Sequence, residues 1–351
     1  MISNVLKWFF LVASGGILFV ALSPETQRWL DQKHLIPNQY SHGDLYNITN
    51  LRAFREANFG ENTNLVDADI PKKHKDVHLY TIGDSFTAMD TVYYAGGRNR
   101  HVWVGEKDAP TVAPLDTTKK NILVIEFIER VLQERLYKPD YEKIYIQNGF
   151  AQTAQPVVAQ PKPVEESTVK SWLLARFASD INQRLEFLLF NTRPFIWFKE
   201  MKAQLLLDLF GRVPGAVISQ DKKHLFYQPE ANNEYILSAF RPLSDQRLDT
   251  LVTNLNTIRQ HYLHMGFDEV YVCMIPNKVT ILDPTYGQYN HQIERIEANP
   301  RLQAPILTMI DTLRQHPEWY HLGDGHWNKE GKRFWLRRVN QLAATWSSDH
   351  D

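Results

Sequence analysis

The stretch Val77–Thr87, with the sequence VHLYTIGDSFT, constrains the fold most strongly, because it predicts a buried strand that ends in a tight turn. Its apolar, β-rich run stops at Gly83, and Ser85 follows two residues later. A strand that ends in a small residue can place such a Ser above the sheet edge, where nearby backbone N–H groups can bind an oxyanion. Gly, Asp and Ser are also common in ordinary turns, so this stretch alone leaves a plain strand-to-loop turn open.

From Asp76 onward the sequence alternates between strand-like and helix-like segments. This alternation predicts an α/β fold, with a parallel sheet covered by helices on both faces. Active sites in such sheets lie beyond the carboxyl ends of the strands, which is where Ser85 falls. The predicted elements include strands at Val77–Ile82, His101–Val104, Asn121–Glu126, Lys143–Gln147 and Glu269–Ile275, and helices at Leu243–Met265, between a Ser244 N-cap and Gly266, and at Lys329–Trp346.

A second stretch, His321–Asn328 (HLGDGHWN), contains what a nucleophilic Ser requires. A Ser hydroxyl is a poor nucleophile at neutral pH and needs a base, whose tautomer a third group must hold. Asp324 and His326 lie two residues apart and can supply both functions. The alternatives are a solvated loop or a metal site formed by His321, Asp324 and His326. The sequence disfavours a metal, because no second pair of ligands with diagnostic spacing is present, and it predicts no cofactor.

The N-terminal stretch Val5–Leu22 is apolar apart from Lys7, Ser14 and a Gly pair. A helix of this length spans about 27 Å, close to the hydrocarbon thickness of a bilayer. The residues before Pro24 form a poor signal-peptidase site, so we expect residues 1–23 to be an uncleaved signal anchor, with a cleaved signal peptide as the alternative. The rest of the chain would then lie outside the cytoplasm. In a bacterium this predicts a single-pass protein of the inner membrane with its catalytic domain in the periplasm.

The remaining chain divides into a polar segment, 24–75, which we expect to be a stalk, and a catalytic domain, 76–351. Within that domain a helical insertion is predicted at about 151–211. Its first part is rich in Pro and Gln and is typical of an exposed loop. Its second part, Val169–Gly211, is helical and strongly apolar, which fits either helices packed on the sheet or an amphipathic element against a membrane or a membrane partner.

Composition excludes some classes of function. The formal net charge of −1 over 351 residues provides no global field for nucleic acid, so no nucleic-acid partner is predicted. The only cysteine, Cys273, excludes an internal disulfide. Because it lies in an apolar, strand-like run, we expect an inert buried thiol.

Together Gly83-Asp84-Ser85 and the loop Asp324-Gly-His326-Trp327-Asn328 resemble the SGNH, or GDSL-type, superfamily of hydrolases and acyltransferases. The loop is similar to the Asp-Thr-His-Trp-Asn motif of the SGNH-like proteins that O-acetylate bacterial alginate. In those proteins the loop precedes the Ser motif, whereas here it follows, as a circular permutation would produce. Three further stretches also resemble that group: Ile122–Arg130, Asp221–Tyr227 and Ile275–Lys278.

The resemblance implies an SGNH-like, flavodoxin-like parallel sheet that carries a catalytic triad of Ser85, His326 and Asp324. The Ser85 backbone N–H would be one oxyanion donor. The resemblance also implies oxyanion or substrate contacts from Gly96 or Gly97, Arg130, Lys278 and Trp327. For Trp327 the choice is between stacking on a sugar and packing under the loop.

Three functions fit these residues. An O-acyltransferase would pass an acyl group, most simply acetyl, from an acyl donor to a polysaccharide hydroxyl. The resemblance then implies a multipass membrane-bound O-acyltransferase as the partner that brings the acyl group across the membrane. An SGNH esterase would use the same triad with water as acceptor, because the choice depends on water exclusion and acceptor positioning. A non-catalytic subunit of polysaccharide assembly is the third possibility.

Overall fold

The computed structural model describes residues 2–33, 42–104, 110–152, 181–191 and 193–348. At its centre lies a parallel sheet of four strands in the order β2-β1-β4-β8. The chain is therefore α/β with a parallel sheet flanked by helices, as the alternation predicted. The strands of this sheet are β1 (His74–Gly83), β2 (Gly96–Trp103), β4 (Lys120–Ile128) and β8 (Glu269–Ile275).

The two inner strands form long, mostly apolar buried runs that include the polar residues His78, Asn121 and Glu126. From Asn121 to Ile128 every residue of β4 is buried, and the same holds for β1 from Val77 to its end at Gly83. Such runs are typical of parallel strands that helices cover on both faces. The register pairs Ile82 with Ile125, so β1 and β4 end at the same edge of the sheet. This edge is where the Ser85 turn begins.

Helices cover the sheet, and the two helices predicted at Leu243–Met265 and Lys329–Trp346 are observed at Asp245–Met265 and Lys329–Trp346. The Ser244 hydroxyl caps the helix Asp245–Met265 by accepting from the Arg247 N–H, and Gly266 ends it in the left-handed conformation, at φ 108°. The helices are α1 (Ile2–Leu22), α2 (Pro24–Gln32), α3 (Asp44–Thr49), α4 (Phe59–Thr63), α5 (Glu129–Leu136), α6 (Asp140–Glu142), α7 (Ile181–Phe190), α8 (Arg193–Phe210), α9 (Gln228–Ala231), α10 (Asp245–Met265), α11 (Lys278–Leu282), α12 (Gln292–Glu297), α13 (Ile310–Gln315) and α14 (Lys329–Trp346).

Two small sheets lie outside the central one. The strands β3 (Thr111–Val112) and β5 (Phe150–Ala151) pair in parallel, and β6 (Ala216–Ile218) and β7 (Leu225–Tyr227) pair antiparallel. The predicted strand Lys143–Gln147 is wrong, since these residues form a π-helical turn that continues from α6. Tyr145 is buried, but it lies on a helical turn and not on a strand. A short apolar run of this kind fits either element, so the sequence could not distinguish them.

The N-terminal helix α1 is long and apolar enough to cross a membrane, and almost all of it is exposed. It contacts α7. A membrane anchor and a signal sequence both have these properties.

The stalk prediction for 24–75 needs correction after residue 41. In α3 and the turn that follows it, Leu45, Leu51 and Phe54 are buried in a small second core. Ala203 of α8 and Leu225 of β7 share this core. The segment 42–56 therefore belongs to the folded domain. The prediction failed because the segment is polar overall and only a few of its residues are apolar and buried. Residues 34–41 of the predicted stalk lie outside the described residues.

The predicted helical insertion at 151–211 is described only in part, because residues 153–180 and 192 lie outside the described residues. The helices α7 and α8 confirm its helical character. Ala203 and Leu207 of α8 pack on the small second core, next to β7.

Candidate active site

The turn after β1 is held by a buried carboxylic acid. Glu126, on the neighbouring strand β4, accepts from the Asp84 N–H at 2.8 Å and from the Thr87 hydroxyl at 3.2 Å. Burial, and then the charge of Asp84, raise the pKa of Glu126 well above its usual value. A Cβ at position 83 would meet Thr87 Oγ1 and, at 2.6 Å, Glu126 Oε2, so only Gly83 allows this close approach. The turn thereby presents Ser85 as an exposed side chain beyond the sheet edge.

Ser85, His326 and Asp324 form one hydrogen-bonded chain. Ser85 Oγ lies 2.7 Å from His326 Nε2, and His326 Nδ1 lies 2.6 Å from Asp324 Oδ1. The predicted convergence of these three side chains is confirmed. The Asp324 side chain is 7% exposed and that of His326 is 28% exposed, so the chain runs from the protein interior to an accessible hydroxyl.

The electrostatics of this chain keep Asp324 ionised and make His326 a stronger base. Burial raises the pKa of Asp324, but the hydrogen bonds and charge of His326 outweigh burial and lower it. Burial lowers the pKa of His326, yet its hydrogen bond to Asp324 and the charges of Asp324 and Asp44 raise it overall. Because Asp324 is the stronger acid, it stays ionised and holds the Nδ1–H tautomer, which leaves Nε2 free to take the Ser85 proton.

Asp44 is the site residue that sequence reasoning missed. Its N–H donates to Asp324 Oδ2 at 2.8 Å, and its Oδ1 accepts from the Gly325 N–H at 2.8 Å. Its Oδ2 lies 3.7 Å from His326 Nδ1. Burial and the neighbouring charge of Asp324 raise the pKa of Asp44.

The sequence around Asp44 gives only a weak signal. Gly43, just before it, adopts φ 105°, and a Cβ there would meet the Gly323 carbonyl. A Gly-Asp pair that opens a short helix suggests a turn, and nothing in it indicates a partner 280 residues further along the chain.

The Ser85 N–H is available as an oxyanion donor, since it donates to no acceptor among the residues that the structure describes. Gly96 and Gly97 are not near it, and their assignment as oxyanion donors is wrong. They begin β2, where Gly96 pairs with His74, whereas the Ser85 turn leaves the opposite end of β1 after Gly83. In a parallel sheet those two ends are separated by the length of the strands.

Lys278 supports the loop that carries Asp324 and His326. Its ammonium donates to the carbonyls of Leu225 at 2.8 Å, Leu322 at 2.9 Å and Asp324 at 3.1 Å. Burial lowers its pKa to about 8. An ammonium has three N–H donors, and all are used here, so Lys278 has none left for substrate. The predicted substrate contact is replaced by a positioning role.

Trp327 also lies inside. It is fully buried, with its ring centroid 5.2 Å from that of Phe86 in an edge-to-face arrangement. Phe86 in turn lies 4.6 Å from the His326 ring. Of the two roles that the sequence left open for Trp327, the structure shows packing under the loop and excludes stacking on a sugar.

Arg130 lies at the border of the site. Its guanidinium carbon is 5.9 Å from the centroid of Phe86, and Nη1 pairs with the buried Glu230 at 2.6 Å. Its charge opposes protonation of His326. With 23% of its side chain exposed, Arg130 is accessible, and its predicted contact with substrate stays a prediction.

The alternative metal set of His321, Asp324 and His326 is not assembled. His321 Nδ1 lies 2.8 Å from Glu56 Oε2, and its Nε2 lies 3.0 Å from the Thr63 hydroxyl. Asp44, Asp324 and His326 do offer three ligand atoms within 4.8 Å of one another. However, both Asp324 oxygens already accept hydrogen bonds from N–H groups, which favours a hydrogen-bonded triad over a cation site.

Comparisons of the chain with protein-family models, with curated proteins and with solved structures give no match. The resemblance to SGNH-like acetyltransferases therefore stays a prediction that rests on the quoted motifs.

Proposed function

We propose that the protein is a membrane-anchored, extracytoplasmic O-acyltransferase of SGNH-like type, which transfers an acyl group, most simply acetyl, to a polysaccharide hydroxyl. The observation that carries this proposal is the unbroken Ser85–His326–Asp324 chain at the carboxyl edge of a parallel sheet. Ordered nucleophile, base and orienting acid in this geometry support acyl transfer through a covalent intermediate.

In the first half of the reaction Ser85 Oγ attacks the acyl carbonyl of the donor while His326 Nε2 takes its proton. The oxyanion binds the free Ser85 N–H, and Asp324 stabilises the imidazolium. Collapse expels the donor's leaving group, which receives the proton from His326. In the second half His326 takes the proton of the acceptor hydroxyl, the acceptor oxygen attacks the acyl-Ser85 ester, and the proton returns to Ser85 Oγ.

The anchor and the motif resemblance favour transfer over hydrolysis, and they support a multipass membrane O-acyltransferase as the source of the acyl group. The second candidate is an esterase. It is favoured by the exposure of Ser85, because an open site admits water to the acyl-enzyme.

The test supplies the purified full-length chain with an activated acetyl ester and a panel of oligosaccharides. Mass spectrometry follows acetyl on Ser85, acetylated sugar and free acetate. We expect Ser85→Ala to abolish the acetyl-enzyme, and Asp324→Asn to lower the rate by about 10³ to 10⁴, because the wrong His tautomer faces Ser85.

The outcomes separate the candidates. Acetylated oligosaccharide that depends on Ser85 supports the transferase. Rapid, Ser85-dependent release of acetate with every sugar unmodified supports the esterase. If Ser85→Ala changes neither reaction nor polymer acetylation in the cell, a non-catalytic role in polysaccharide assembly replaces both.

A further inference from the structure

Helix α8 carries an exposed apolar stripe. Phe198, Met201, Leu205 and Leu209 follow one another at helical spacing, with 54%, 43%, 51% and 69% of their surface exposed. The opposite side of the helix packs on the domain through the buried Ala203. A monomeric soluble protein rarely exposes a row of apolar side chains of this size. The stripe therefore indicates a surface that binds a membrane or another apolar surface.

Helix α7 links the helix that carries this stripe to the N-terminal helix. Only residues 191 and 192 separate α7 from α8, and the rings of Phe190 and Phe195 meet across this junction at 5.3 Å. On its other side α7 contacts α1, the helix that is apolar enough to span a bilayer. Helix α7 thus contacts both α1 and α8, so a membrane around α1 would lie close to α8.

A basic cavity lies beside the stripe. It has a volume of about 320 Å³, lies between α8 and the segment 47–51, and contains Lys199, Lys202 and Arg212. No acidic residue lines it. Among the described residues none forms an ion pair with these three cations, so their charge is available to an external anion.

We propose that α8 lies on the surface of an anionic phospholipid bilayer, with Phe198, Leu205 and Leu209 among the acyl chains and the basic cavity on a lipid phosphate. An apolar stripe bordered by lysines is the arrangement by which interfacial helices bind such membranes. The Lys202 stem can lie along the stripe while its ammonium reaches the phosphate layer. The proposal rests on the membrane anchor and is independent of the acyl chemistry.

Bilayer contact at α8 would position the catalytic site. Glu200, on the domain side of α8, accepts from the Tyr46 hydroxyl at 2.7 Å and pairs with Arg55 at 2.9 Å. Both partners belong to the segment 42–56, which also carries Asp44. A short, buried connection therefore links the lipid-facing helix to the loop that holds His326, so α8 would fix the height of the site above the membrane.

The experiment uses the full-length chain in lipid nanodiscs, at one chain per disc. An environment-sensitive fluorophore is attached at Phe198→Cys, Leu205→Cys or Leu209→Cys, and at the exposed helix position Gln246→Cys as the matched control. The native Cys273 is buried and gives the background in the unsubstituted chain. We expect lipids with a nitroxide on the acyl chain to quench the three α8 labels severalfold more than the control, and aqueous iodide to show the reverse order.

A second series tests the cavity. The label at position 205 is combined with Lys199→Gln, Lys202→Gln and Arg212→Gln, in discs of phosphatidylcholine with increasing phosphatidylglycerol. We expect lipid quenching to rise with phosphatidylglycerol for the parent, and this dependence to be lost in the triple variant. Circular dichroism confirms that each variant is folded.

The outcomes also distinguish a failure of the α8 proposal from a failure of the membrane anchor α1 on which it rests. Recovery of the chain with the discs reports on α1, whereas quenching reports on α8. If the chain is retained but the α8 labels match the control in both quenchers, the bilayer proposal is wrong. Protection of these labels only when a membrane partner protein is co-reconstituted would replace the bilayer by that partner.

Discussion

At the residue scale, Asp44 places a second carboxylate beside the Asp324–His326 pair. Its Oδ2 lies 3.7 Å from His326 Nδ1, while Asp324 already occupies the hydrogen-bonding position on that nitrogen. A negative charge at this distance stabilises the imidazolium that forms when His326 takes a proton. In the proposed reaction Asp44 would therefore act through His326, as a positioning residue.

This role predicts a pH effect. Asp44→Asn keeps an oxygen for the Gly325 N–H but removes the charge that helps to raise the pKa of His326. The rate rises with pH as His326 loses its proton, so a lower pKa moves the acid limb of kcat/KM to lower pH. Weaker stabilisation of the imidazolium should also reduce kcat about threefold to tenfold.

The pH–rate profile of Ser85-dependent ester cleavage is the measurement. Asp311→Asn, whose carboxylate is 77% exposed, is the matched control and should leave the limb in place. A limb that stays in place or moves to higher pH in Asp44→Asn would contradict the electrostatic role.

Some site residues could be predicted from the sequence and others could not, for a physical reason. Ser85, Asp324 and His326 belong to short motifs whose chemistry is local. Asp44 gains its role only from folding, because its partners lie 280 and 281 residues away. Arg130 could be assigned to the neighbourhood of the site only through the motif that contains it.

At the element scale, the loop 321–326 is held from two sides. The Lys278 ammonium binds its carbonyls at Leu322 and Asp324 from the interior. From the other side Glu56 pairs with His321 and accepts from the Leu322 N–H. The loop has no regular secondary structure of its own, so these side chains supply the rigidity that a triad requires.

Lys278→Met should therefore weaken both the fold and the site. The substitution keeps the length of the side chain but removes a hydrogen-bond donor from three backbone carbonyls. The Leu322 carbonyl still accepts from the Leu225 N–H, and we expect a cost of about 2 to 4 kcal/mol. We expect a lower denaturant midpoint together with a kcat that falls more than KM rises, because His326 is less well placed. Urea unfolding and steady-state kinetics measure the two effects.

The exposed Lys138→Met is the matched control and should change neither quantity. If Lys278→Met lowers stability but leaves kcat unchanged, Lys278 supports the fold without ordering the catalytic loop. Sequence reasoning selected Lys278 but predicted a substrate contact. The burial of this Lys could not be predicted, because its three carbonyl partners are brought together only by folding.

At the scale of the whole molecule, the α/β sheet was predictable because each inner strand contains a mostly apolar run and is followed by a helix or a turn. The stalk was not. Segment 42–56 is polar in composition and joins the domain through a few buried residues and through Asp44. These contacts form only when the fold brings the segment next to residues far away in the sequence. The exposed face of α8 was also undetermined, since a packed helix and a lipid-facing helix have the same apolar pattern.

The contact of α1 with α7 leads to a final prediction about the whole chain. If α1 is a retained anchor and the domain lies on the periplasmic side, the membrane-extracted protein begins with its own N-terminal residues. A cysteine at the exposed position of Gln246→Cys should then react with a membrane-impermeant maleimide in intact spheroplasts. Mass spectrometry of the N-terminal peptide and of the labelled peptide tests both parts.

The unsubstituted chain is the control and should stay unlabelled, because its only cysteine is the buried Cys273. A mature N-terminus near Ser23 would identify α1 as a cleaved signal peptide, and the α8 surface would then have to hold the domain at the membrane alone. Labelling only after lysis would place the domain in the cytoplasm. There an exported polysaccharide could not reach Ser85, so this single result would overturn the proposed substrate while leaving the triad chemistry intact.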